Sequence, residues 1–186
     1  IVLNLEPRQL CMAKRTLGTD SFLADSATHG TGMAKSTWMA TPNIAVVKYW
    51  GKKDNTLNIP NNGSISVTMS ESLRTITTVE FDSSLSSDRL ELNGKVAEKN
   101  ETGRATRVLD AVRAAAKIKM RARISSNNNF PTAAGIASSA SGFAALACAG
   151  ADAAGLKASA KELSIFARMG SGSACRSVLG GFVEWK

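Results

Sequence analysis

With 186 residues, 44% of them apolar, the chain can bury one sizeable core, and it holds no run near the roughly 18 consecutive apolar residues of a membrane helix and no charged start with an apolar middle at its N-terminus. Three cysteines without a CxxC pair, beside a lone His29, speak against a disulfide framework and a zinc site, so the chain reads as soluble and cytoplasmic with reduced thiols. A formal net charge of +8 invites an anionic partner, but the basic residues are scattered, densest at Lys117, Lys119, Arg121 and Arg123, and one tyrosine and three tryptophans are few for stacking on bases.

Residues 1–40 lack clear periodicity from Thr16 to Ala40 and read as a poorly structured or added extension, with Met33 a candidate original start. From Thr41 the pattern changes. Short β-branched runs at Asn43–Tyr49, Ile65–Met69, Thr75–Phe81 and Arg89–Leu92, bounded by Asn, Gly, Ser or Asp, predict strands. Glu101 to Ala116 places Val108, Leu109, Val112 and Ala116 at helical spacing. A strand over Arg121–Ser126 follows, then a polar loop, an Ala-rich helix from Ser138 to Ala154, a second helix from Ser159 to Arg168 behind a Gly155 stop, and a closing strand Gly181–Trp185. Strands first and paired helices later predict an α+β fold: a two-layer sandwich in which helices cover one face of a mixed or mostly antiparallel sheet.

Three polar stretches interrupt this pattern. In "PTAAGIASSASG", from Pro131, small residues let backbone approach a ligand, Gly135 can take a conformation closed to other residues, and the hydroxyls of Ser138 and Ser139 fall where a helix begins. First-turn N–H groups and the helix dipole favour phosphate there, although the stretch is no Walker loop; a capped helix packed closely through small residues is the plain alternative. "MGSGSACRS" sets Ser171, Gly172 and Ser173 before Arg176, whose planar guanidinium offers paired donors to phosphate oxygens, or else forms a Gly/Ser turn with a solvated arginine. "VVKYWGKKD" ends a strand that is apolar on both faces with Lys48, Tyr49, Trp50, Gly51 and Lys52 at the rim. There the lysines can reach an anion, Tyr49 can donate a hydroxyl, Trp50 can close off water and Gly51 permits a turn.

Together "NIAVVKYWGKKD", "NNFPTAAGIASSASGF" and "GSGSACRSVLGGFVEW" resemble, in order and spacing, the mevalonate diphosphate decarboxylase family of the GHMP kinase superfamily, over Thr41 to Lys186. The middle stretch also fits the superfamily phosphate loop PxxxGLxSSA, with Ile136 for leucine. The resemblance implies a GHMP-type N-terminal domain over 41–186, ATP and Mg as cofactors, and a homodimeric full-length enzyme. In that family ATP phosphorylates the tertiary hydroxyl of mevalonate diphosphate, and the intermediate loses phosphate and carbon dioxide to give isopentenyl diphosphate for isoprenoid synthesis. By position, Tyr49, Trp50, Gly51 and Lys52 with Ser171, Gly172, Ser173, Ala174, Cys175 and Arg176 match the hold on the substrate's diphosphate, and Arg104 in "TGRATRV" matches a further substrate contact. Pro131, Ala134, Gly135, Ala137, Ser138 and Ser139 match the loop that holds ATP phosphates. Lys48, Ser139 and Arg176 are the catalytic candidates, Lys48 facing the reacting end. Phosphoryl transfer needs positioning and neutralised oxygens more than covalent chemistry, and these residue types supply both.

Two departures stand out. Gly63 occupies a position where many relatives carry serine, and Asn61 one where they carry an apolar residue, so a hydroxyl contact is missing without a change of reaction. The family's enzymes also run far beyond the matched stretch, and the aspartate that orients or deprotonates the tertiary hydroxyl belongs to their second half; neither Asp54 nor Asp152 matches it. The chain is therefore expected to be an N-terminal part that is inactive alone. A kinase acting on the same hydroxyl without decarboxylation is the nearest enzymatic alternative, against which the paired diphosphate motifs speak. A basic nucleic-acid-binding module is the alternative of another class.

Overall fold

The computed structural model describes residues 2–4, 12–14, 35–48, 50–55, 57–131 and 138–186. In chain order the elements are β1 (Val2–Asn4), β2 (Met12–Lys14), β3 (Lys35–Ala40), β4 (Asn43–Val47), β5 (Lys52–Asp54), β6 (Ile59–Pro60), β7 (Ser64–Thr68), β8 (Thr75–Asp82), β9 (Arg89–Leu92), β10 (Lys95–Val96), α1 (Lys99–Ala116), β11 (Arg121–Asn128), α2 (Ser138–Ala153), α3 (Ala160–Gly170), α4 (Ala174–Ser177) and β12 (Phe182–Trp185).

Six strands form a mixed sheet in the order β10-β9-β11-β8-β3-β2. Its centre is β8, antiparallel to both β11 and β3, while β9 runs parallel to β11. The two-residue period explains the face it buries: Thr75, Thr77, Val79 and Phe81 of β8 and Ala122, Ile124 and Ser126 of β11 point to the helices. Helix α1 answers with Ala105, Val108, Leu109 and Val112, one helical stripe. It begins with a capping box between Glu98 and Glu101 and ends at Lys117 in the left-handed conformation, φ 56°.

Between sheet and outer helices lies α2, buried on nearly all sides through Ala140, Ala144, Ala145, Ala147 and Ala149. Small side chains are what allow this, because a Cβ on Gly150 would sit 2.6 Å from Leu109 Cδ2 and one on Gly170 only 2.2 Å from the Phe143 ring. Leu109 is fully buried, so truncating it to alanine costs about 2–5 kcal/mol. Buried Asp88 accepts from the Ala122 N–H and pairs with Arg113, fastening the β8–β9 connection under the end of α1.

The α+β sandwich with a mixed sheet under helices is what the chain forms, and the main helices and strands fall within a few residues of their expected positions. Three features differ. Lys35–Ala40 is not extension but a strand of the main sheet, paired along β8 and tied to α2 where the Ser36 hydroxyl and the Trp38 indole both donate to Asp152. Alternating Ser36, Trp38 and Ala40 carry this strand, too polar a run to stand out in sequence. Met33 lies outside the described residues. A second, antiparallel sheet, β1-β12-β7-β4, packs its inner face of Asn43, Ser64, Ser66, Val183 and Trp185 toward α4 and the end of α3. Finally, β4 is not buried on both faces: Ile44, Val46 and Val47 are 46%, 62% and 48% exposed, with a bulge between Ala45 and Val47.

Candidate functional site

Helix α2 is described from Ser138, and Ser138 and Ser139 are both half-buried there. The α3–α4 connection arrives beside it. Ser139 Oγ lies 3.3 Å from Ser171 Oγ, which lies 3.2 Å from Ser173 Oγ, so three hydroxyls form one row from the helix start into the "GSGSACR" turn. Arg104, from α1, donates through Nε to the Gly170 carbonyl at 2.9 Å and lies over the Phe143 ring. Its guanidinium thus stands at the end of α3 and lines one cavity with Ser138 and Ser139. Burial, with the neighbouring Arg107, draws its pKa below the ordinary guanidinium value, while Glu101 opposes that shift.

A cavity of about 130 Å³ opens at this junction, walled by Leu90, Leu92, Ile124, Phe143 and Leu146, with Arg104, Ser138 and Ser139 among its polar lining. An apolar slot with a few converging polar groups is the usual form of a small-molecule pocket.

Beneath the serine turn the second sheet supplies a buried polar floor. Asn43 Nδ2 donates to the Ser173 carbonyl and to Ser177 Oγ, holding the turn to β4. Arg176 is 3% exposed; its Nη1 donates to Ser64 Oγ at 2.8 Å, and its guanidinium lies 5.9 Å from the Trp185 ring. The Cys175 thiol faces inward, donating to the Gly172 carbonyl, and burial pushes its pKa up to about 12. Cys175 and Ala174 side chains are both buried, so these two positions can offer a ligand only backbone groups. Gly172 is buried beside them.

The rim stretch comes third. Lys48 follows β4 and is exposed, Trp50 is 82% exposed, and Gly51 turns the chain at φ 81° as its permissive backbone allows. In β5, Lys52 Nζ donates to Asn58 Oδ1 at 2.6 Å. Pro131 is exposed. Tyr49, Ala134, Gly135 and Ala137 lie outside the described residues. The sequence reading did not single out Asn43, Asn58 or Ser64; polar residues in strand and turn segments read as solvent-facing, and only Asn58 between Leu57 and Ile59 hinted at a turn requiring a left-handed residue. The Gly63 departure has a steric side: a Cβ there would stand 3.0 Å from the Trp185 carbonyl oxygen.

Residues 40–186 match the family model of the diphosphomevalonate decarboxylase-like N-terminal domain. The chain belongs to that family. Diphosphomevalonate decarboxylase of Aspergillus fumigatus is 46% identical over 175 residues, covering 87% of this chain and 43% of the relative. That of Candida albicans is 49% identical over 166 residues, covering 83% and 46%. Among solved structures, mevalonate diphosphate decarboxylase from Staphylococcus aureus superposes with a TM-score of 0.78 at 47% identity, over 83% of this chain and 46% of that one. A structure of MDDEF in complex with MVAPP, AMPPCP and magnesium superposes with a TM-score of 0.77 at 46% identity, over 83% and 47%. The chain thus spans somewhat less than half the length of the decarboxylases it matches. Among its described residues no helix is long and apolar enough to cross a membrane.

Proposed function

We propose that this diphosphomevalonate decarboxylase-like domain binds mevalonate diphosphate and ATP side by side, as the N-terminal share of a site that converts the former to isopentenyl diphosphate. The observation that carries the reading is the row Ser139–Ser171–Ser173, which joins the start of α2 to the serine turn. Phosphoryl transfer requires the γ-phosphate and the accepting hydroxyl to meet, so the groups that hold each must be neighbours.

In this reading the first-turn N–H groups of α2 with Ser138 and Ser139 hold the nucleotide's phosphates, and Pro131, Ala134, Gly135 and Ala137 are assigned to the same nucleotide contact. The donor set suits the group: uncharged hydroxyls and backbone amides favour phosphate oxygens. Mg²⁺ would accompany the phosphates there, with the serine hydroxyls as candidate oxygen ligands. Bound there, ATP supplies the phosphoryl group that makes the tertiary oxygen a leaving group.

The substrate's diphosphate falls to Lys52, Tyr49 and the Ser171–Arg176 turn, with Trp50 and Gly51 shaping the rim, Arg104 at the junction and Lys48 toward the reacting end. Electrostatic positioning by these cations is the domain's share of catalysis. The acid that takes the hydroxyl proton is assigned to the region in which the relatives extend beyond this match. Asp54 is engaged with the Leu57 N–H, and Asp152 sits under Ser36 at the other end of α2, about 20 Å of helix from Ser138. Homodimeric assembly and a cytoplasmic setting accompany this reading.

The test is product formation from ATP and mevalonate diphosphate. We expect isopentenyl diphosphate only when the separately expressed C-terminal half of a relative is added. Turnover by this chain alone would mean that the proton acceptor has been misplaced.

A further inference from the structure

We propose that Asn58 is a positioning residue for the diphosphate site: it holds the Lys52 ammonium in place by clipping the β5–β6 hairpin to the C-terminal end of α3. The inference rests on the reading of Lys52 as a diphosphate contact and adds a residue that acts through it.

Asn58 is 9% exposed, and both ends of its amide are used. Its Oδ1 accepts from Lys52 Nζ at 2.6 Å, and its Nδ2 donates to the Arg168 carbonyl at 2.9 Å. The chemistry of the partners fixes this orientation, since an ammonium only donates and a carbonyl only accepts. Arg168 lies in the last turn of α3, where carbonyls have no partner within the helix, so the amide satisfies a group the helix leaves open. Three residues later the same helix end becomes Ser171 and the serine turn. Lys52 and that turn are therefore referenced to one rigid element.

The hairpin needs such a clip. It is a two-stranded pair with a register shift between Lys52 and Asp54, an arrangement that is marginal by itself. A lysine on a four-carbon stem would otherwise sample many positions, and holding it in advance removes part of the ordering cost of gripping an anion. The residue type is also constrained. At φ 52° the backbone sits in the left-handed region, which asparagine tolerates and most residues do not. Glycine would keep the backbone but lose the hold on the ammonium. Aspartate would keep an acceptor for Lys52 but cannot donate to the Arg168 carbonyl.

Two measurements on the chain test this, with circular dichroism and thermal melting to verify folding. The first is site-resolved acylation of lysines by an amine-reactive ester, read by mass spectrometry without ligand. Lys52 and Lys53 are both exposed, yet Lys52, which donates to Asn58, should react more slowly; Asn58→Gly should raise Lys52 to the level of Lys53 without changing Lys53, and Asn58→Asp, which keeps the acceptor but not the clip to Arg168, should restore protection only in part. The second is calorimetric titration with inorganic pyrophosphate. Asn58→Gly and Lys52→Met should each weaken binding about three- to tenfold, and the double variant should be no weaker than Lys52→Met, the signature of residues acting as a unit. Unchanged Lys52 reactivity in Asn58→Gly, or losses that multiply in the double variant, would overturn the positioning role. So would a loss in Lys52→Met with none in Asn58→Gly. By contrast, full pyrophosphate affinity in Lys52→Met, or no binding by the unaltered chain, would overturn the diphosphate reading itself.

Discussion

Ser139 and Ser171, separated by 32 positions in the chain, bring their hydroxyl oxygens to 3.3 Å of each other. On the proposed reading, one belongs to the helix end that holds the nucleotide's phosphates and the other to the turn that holds the substrate's diphosphate. Each hydroxyl can rotate to donate to or accept from whichever oxygen arrives, and the pair marks the boundary across which a phosphoryl group would pass.

That boundary predicts a division of labour. Ser139→Ala should weaken AMPPCP binding more than mevalonate diphosphate binding, whereas Ser171→Ala should do the reverse. Titrating both ligands into both variants checks it. Equal losses for both ligands in both variants would merge the two grips into one.

For Arg176 we expect the lysine variant to fail although charge is kept. A point-like ammonium cannot reproduce paired guanidinium donors, and Arg176 also holds Ser64 and lies against Trp185. Arg176→Ala should lose about 2–5 kcal/mol of mevalonate diphosphate binding, as expected for truncating one partner of a desolvated charge pair. Its melting temperature should fall as well, and unchanged affinity in both variants would remove Arg176 from the site.

How much of this was legible beforehand follows from what period and residue type can encode. The stripe Ala105, Val108, Leu109, Val112 announced α1, and the Ala-rich run after Ser138 announced α2, because spacing and composition are local properties. The second sheet was not legible. Its inner face is built on Asn43, Ser64 and Ser66 while Ile44 and Val46 face outward, so a strand that reads as apolar on both faces turns a buried polar network inward, which apolar patterning does not report. The Lys52–Asn58–Arg168 link was hidden for another reason: it joins a turn to a helix end 110 residues away, and no local pattern records such a pairing.

Stability should hinge on Asp88. Its carboxylate is fully buried with Arg113 and the Ala122 N–H, and its loss would leave the guanidinium, among the described residues, with half-exposed Asp110 as ionic partner. Asp88→Ala should therefore destabilise the fold by about 3 kcal/mol, the lower end for breaking a buried pair. A urea unfolding curve with an unchanged midpoint would contradict this.

Alkali should also unfold the chain early. Burial raises the Cys148 and Cys175 thiols above their ordinary pKa of 9.0, Cys175 to about 12. The folded state then holds protons that the unfolded state releases, so stability is fully present below pH 9 and falls as pH rises toward 12. Cys148→Ala should flatten part of that decline in thermal melts between pH 8 and 11, and an identical slope would refute it.

Calorimetric titration of mevalonate diphosphate, with and without saturating AMPPCP and magnesium, tests the central claim most directly. Two adjacent but separate grips predict that mevalonate diphosphate binds in both conditions and that AMPPCP does not displace it. Competition between the two ligands, or no binding of mevalonate diphosphate in either condition, would contradict the account.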